Sequence, residues 1–90
     1  MVTEDLKKNI EKVLREAGGG GPEDTIEFLD TPDGRVEIVF VSPSFVNQNE
    51  AERQRRVWGA ILTNLTDTEQ RAVDFVFTDA PGEDNSEPVD

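Results

Sequence analysis

The run Val36-Glu37-Ile38-Val39-Phe40-Val41 stops at Ser42-Pro43-Ser44-Phe45, and an arginine-bearing helical pattern from Glu50 to Leu62 follows. A nearly unbroken apolar run of that length suits a strand buried on both faces. The helix supplies a cover for one of those faces. Wound at 3.6 residues per turn, Ala51, Val57, Trp58, Ile61, Leu62 and Leu65 gather within about 140° of arc. Arg53, Arg56 and Thr63 then fall on the opposite side, with Arg55 at one edge. Gln54 lies inside the apolar arc, tolerable because the first turn stays near solvent. The expected fold is a small α+β domain organised around this strand–helix pair.

Upstream, Thr3 is placed to cap a first helix, with Glu4 and Asp5 in its first turn. Leu6, Ile10, Val13, Leu14 and Ala17 recur on one helical face, which predicts a helix over 3–17. The glycines Gly18 to Gly21, followed by Pro22, end it. Thr25 to Leu29 reads as a short strand with Ile26 and Phe28 turned inward. Asp30-Thr31-Pro32-Asp33-Gly34 is turn chemistry, so the strand 35–41 returns antiparallel to it. Helix two is expected over 50–64. Thr66-Asp67-Thr68-Glu69 matches a capping box opening one short helical turn. Arg71 to Thr78 alternates, with Val73, Phe75 and Phe77 on one face, as a third strand. A right-handed crossover through helix two makes it parallel to the second. Residues 1–78 form the expected domain, and 79–90 an acidic disordered tail.

Composition removes whole classes of function. The 90 residues contain neither cysteine nor histidine. Disulfides, thiol chemistry, cysteine-ligated zinc or iron–sulfur sites and histidine-dependent triads are therefore excluded for these residues. No apolar run reaches signal-peptide length, so a cytoplasmic protein that does not span a membrane is expected. The net charge of −11 weighs against non-specific nucleic-acid binding. Five of the acids follow Thr78, leaving −6 on residues 1–78.

Little else reads as chemistry. Asp30 and Asp33 share a turn but fall short of a calcium ligand set. Glu23 and Asp24 resemble a solvated linker. The four-glycine run follows a helix and lacks the Gly-Lys-Ser/Thr of a phosphate loop. Arg53, Arg55 and Arg56, with Arg71, are the basic concentration of an acidic chain. Two readings stand for them: intrahelical pairing with Glu50 and Glu52, or a partner site. Trp58 reads as core. Phe45 either pins its loop or faces a partner.

The run Val39 to Phe45, then Arg53-Gln54-Arg55-Arg56-Val57-Trp58-Gly59-Ala60-Ile61, is similar to the BolA-like proteins. Arg71-Ala72-Val73 occupies the place of that family's His-Ala-Leu strand start, and Thr78 to Glu83 echoes its ending. The resemblance spans about residues 3–83 and rests on the collinear order of short motifs. It implies a class II KH-like fold: helix, two strands, helix, short helix, strand, with a mixed three-stranded sheet and the helices on one face. It also implies a non-enzymatic regulator of iron or stress responses that partners a monothiol glutaredoxin in iron–sulfur trafficking. The family's cluster ligands are the histidine opening strand three and a Cys or His between the first two strands. Here Arg71 stands in the first place, Leu29 to Gly34 offers neither residue in the second, and Gln54 replaces a motif histidine. An arginine does not deprotonate to bind iron. The expected role is a partner-binding domain using Phe45, Arg53, Arg55, Arg56 and Arg71, with no cofactor. The alternative is a KH-like nucleic-acid-binding regulator, weak because Val46 to Glu50 contains no glycine for a backbone clamp.

Overall fold

The computed structural model describes residues 3–18 and 21–82. Helix α1 (Glu4–Ala17) is capped by the Thr3 hydroxyl, which accepts from the Leu6 amide at 3.2 Å. Strands β1 (Thr25–Asp30) and β2 (Val36–Val41) form the expected hairpin, closed by Gly34 at φ 84°. A 3-10 turn (Pro43–Phe45) leads to α2 (Glu50–Asn64), α3 (Asp67–Arg71) and β3 (Val73–Asp79). The sheet order is β1-β2-β3, and β3 runs parallel to β2 as a crossover through α2 requires. The fold is thus α+β with the element order that the sequence implied.

The core lies on one side of the sheet. Val36, Ile38 and Phe40 of β2 are fully buried beneath Ile10 and Leu14 of α1 and Val57 and Ile61 of α2. Ile26 and Phe28 pack against this cluster, as their alternation predicted. Burial of β2 on both faces is not found. Glu37, Val39 and Val41, on the other face, keep intermediate exposure.

Two side-chain assignments change. Along β3, strict alternation would put Phe75 and Phe77 with Val73. Instead Val36 pairs with Val73 and Glu37 with Phe75, so Asp74 is an extra residue in a bulge. Beyond it Val76 and Thr78 turn inward, whereas Phe75 and Phe77 are 40% and 43% exposed. Arg35 holds the bulge, pairing with Asp74 at 3.0 Å and donating to the carbonyls of Arg71 and Val73. On α2 the buried face is rotated by roughly 60° from the apolar arc, toward Arg53. Arg53 is buried in line with Val57 and Ile61, while Ala51 is exposed and Leu62 is 63% exposed. Trp58 packs against the core from its margin.

The packed unit extends past Thr78. Asp79 ends β3 and Ala80 is buried, so the expected tail does not begin at residue 79. Residues 83–90 of that tail lie outside the described residues, as do Gly19 and Gly20 of the glycine run. Asp24, read as part of a solvated linker, is also buried, and its Oδ2 has no hydrogen-bond partner among the described residues.

Gly18 is where helix α1 meets the sheet. A Cβ there would sit 2.5 Å from Cζ of Phe40 and 2.9 Å from Oδ2 of Asp24. Its φ of −84° strains no residue type, so space alone decides. Since Phe40 is fully buried and cannot give, Gly18→Ala is expected to cost about 1–3 kcal/mol by overpacking. Urea unfolding would measure it; an unchanged midpoint would mean the Phe40 ring yields.

Helix α3 depends on its predicted capping box, in which Thr66 and Glu69 exchange side-chain-to-backbone hydrogen bonds. The Thr66 amide, and next the Asn9 side chain at 2.7 Å, hold the Glu69 carboxyl below the usual glutamate range. A lowered folded-state pKa contributes stability above the ordinary value and loses it as pH falls through the lowered one. Acidification through that range is expected to lower the protection of the Gln70 and Ala72 amides relative to their intrinsic exchange rates at each pH, and Glu69→Gln to flatten the response.

Candidate functional site

The corner between β2 and α2 is built from Ser42 onward. Ser42 is buried, and its hydroxyl caps the 3-10 turn by accepting from the Ser44 amide at 3.2 Å. That turn drives Phe45 inward, where its ring meets Phe40 edge-on at 5.2 Å and is fully buried. Phe45 therefore pins its loop. Asn47 takes the left-handed conformation at φ 73°, which asparagine tolerates. Asn49 and Glu52 then form a capping box that opens α2.

Arg53 closes the corner from within. Its Nε donates to the carbonyls of Phe45 at 3.1 Å and Gln48 at 2.9 Å, and Nη1 donates to the carbonyl of Thr78 at 3.1 Å. The residue is 6% exposed. One guanidinium thus ties the loop, the helix start and the end of β3 together, using the fork that distinguishes arginine from lysine. Next to it, Gln54 donates to the Val76 carbonyl at 2.8 Å and accepts from Trp58 Nε1 at 3.0 Å. These two side chains occupy outward-facing carbonyls of β3, an edge strand that would otherwise invite pairing.

The glutamates expected to pair with the helix arginines are engaged elsewhere. Glu52 accepts from the Asn49 amide, and Glu50 accepts from the Thr78 hydroxyl at 3.1 Å. Arg56 reaches back instead, with Nη1 3.4 Å from the Ser44 carbonyl and its guanidinium over the Phe45 ring at 5.7 Å. Arg55 is exposed on the helix surface.

The five residues named from sequence do not form one patch. Phe45, Arg53, Arg55 and Arg56 share the α2 corner, with the first two buried beneath it. Arg71 ends α3 ahead of β3, whereas Arg53 meets β3 at Thr78, about 20 Å farther along a strand. Sequence reasoning missed the inward role of Arg53, for which no local signal exists. It also missed the engagement of Gln54 with β3, which its place inside the apolar arc could have betrayed.

Among the described residues no group of three or more acidic, histidine or cysteine side chains could hold a metal ion. Asp30 lies 3.7 Å from Lys7, and Asp33 accepts from the Thr31 hydroxyl, which, with Arg35 nearby, holds its carboxyl below the usual range. Both behave as turn and surface carboxylates. No described helix is long and apolar enough to cross a membrane. No family model and no curated protein matches the sequence.

Proposed function

We propose that the chain is a non-enzymatic, cytoplasmic interaction domain of the BolA-like kind, which binds a glutaredoxin-like protein without ligating a cluster itself. What supports the reading is the preordered corner at the start of α2. Arg53 locks the corner from beneath, Arg56 lies over the buried Phe45 ring, and Arg55 stands outside. A rigid cationic corner on an acidic chain binds without first ordering a loop, which lowers the cost of association. The element order is the one the resemblance implies. Arg71 lies apart from this surface and is left out of it. Without a histidine at Arg71 or in the hairpin turn, the partner alone supplies any cluster ligands.

The test is a titration of the isotope-labelled domain with a cluster-loaded monothiol glutaredoxin. Amide shifts centred on Arg55 and Arg56, with the visible spectrum of the cluster unchanged, are the expected result. Arg55→Glu/Arg56→Glu should weaken binding about tenfold or more. Shifts unaffected by that charge reversal, or no shifts at all, would sink the assignment. Weak nucleic-acid binding, the alternative, has no observation in its favour once Arg53 is seen to face inward.

A further inference from the structure

The helices cover one face of the sheet, and among the described residues no element covers the other. That face carries Leu29 of β1, Val39 and Val41 of β2, and Phe75 and Phe77 of β3. The pairing register sets Leu29, Glu37 and Phe75 in one row across the three strands, and Glu27, Val39 and Phe77 in the next. Phe75 and Phe77 contact each other edge-on at 4.8 Å, so the exposed rings form one apolar ridge. Contiguous exposed aromatic surface of this kind marks a docking site. The bulge at Asp74 creates the ridge, because unbroken alternation would have buried both rings.

Charge on the same face selects the occupant. Glu27, Glu37 and Asp79 occupy three of its nine strand positions, and no lysine or arginine occupies any of them. With a net charge of −11, a second copy of the chain would set carboxylates against carboxylates. Residues 83–90 add four further acids and, apart from Pro88, a single apolar side chain, so they do not suit it either. A strand added at the β3 edge meets the blocked carbonyls of Val76 and Thr78. Across the face the fit is different. Three strands span about 10 Å, the diameter of one helix, and their rows cover about 13 Å, or two to three helical turns.

We propose that the open sheet face docks a cationic amphipathic helix, its apolar stripe on the Phe75–Phe77 ridge and its flanking lysines or arginines on Glu27 and Glu37. This surface lies apart from the arginine corner and does not depend on it.

Three synthetic helical peptides of about 18 residues test the idea. One carries leucines as a stripe flanked by lysines, one replaces lysine by glutamate, and one scrambles the leucine/lysine order. Amide shifts on β1, β2 and β3 are expected with the first peptide alone, weakening as salt is raised. Glu27→Lys/Glu37→Lys and, separately, Phe75→Ser/Phe77→Ser should each weaken binding about tenfold or more. The charge variant leaves the apolar ridge and the core untouched, so it remains informative if the serine variant folds poorly. Equal binding of the scrambled or glutamate peptide would overturn the proposal. So would shifts mapping elsewhere, absence of binding, or sedimentation showing self-association that the serine variant abolishes.

Discussion

Arg53→Ala is expected to destabilise the domain by about 3–5 kcal/mol, read as a lowered midpoint in denaturant unfolding. The side chain is buried and donates to three carbonyls, two of them through bonds in the buried interior. Alanine leaves the Phe45 and Thr78 carbonyls without that donor, and an unsatisfied buried polar group costs about 1–3 kcal/mol. It also removes the stem that lies in line with Val57 and Ile61. A domain of this size commonly has only about 5–15 kcal/mol of stability in all, so the variant approaches the unfolding threshold. Arg53→Lys should recover less than half of the loss, since one ammonium does not reproduce a fork aimed at separate segments. A loss below about 1 kcal/mol for alanine would mean that water replaces the guanidinium at those carbonyls.

The contrast between Arg53 and its neighbours shows which parts of the fold were legible. The Thr3 cap, the Thr66–Glu69 box and the Asp33-Gly34 turn are local devices, each complete within a few residues, and each forms where its spacing says. Helix α2 likewise runs over the expected residues. Its rotation was not legible. Counting apolar side chains assumes that the core wants no charge, whereas the carbonyls of Phe45, Gln48 and Thr78 create a place that wants one. Those partners lie up to 25 residues away in the chain. Leu62, an apolar residue on the computed arc, is left outside as a consequence. The bulge at Asp74 is the same kind of event in a strand. Only the pairing with β2 and the Arg35 anchor reveal it, and it reverses the facing of every later residue in β3. Both misplacements bear on function. One withdraws an arginine from the candidate surface; the other parts two phenylalanines from Val73, with which alternation grouped them, and sets them on the open face of the sheet.

Phe45 is where stability and partner binding separate. Phe45→Ala is expected to cost about 3–5 kcal/mol, because the ring is fully buried and its removal leaves a cavity against Phe40. Phe45→Leu keeps most of the volume and should cost less than about 1.5 kcal/mol. The ring also lies within 5.9 Å of the Arg53 guanidinium and 5.7 Å of that of Arg56, so these substitutions do not add independently. A double-mutant cycle between Phe45→Leu and Arg53→Ala should return a coupling of about 0.5–2 kcal/mol, since the backbone carbonyl of residue 45 survives and only the ring contact is lost. The same leucine variant decides the functional question. If Phe45 supports the arginine corner from beneath, a folded Phe45→Leu domain keeps its glutaredoxin titration within a few-fold, because Arg55 and Arg56 remain in place. If binding is abolished while the unfolding midpoint barely moves, the ring contacts the partner directly, and the corner must open to expose it.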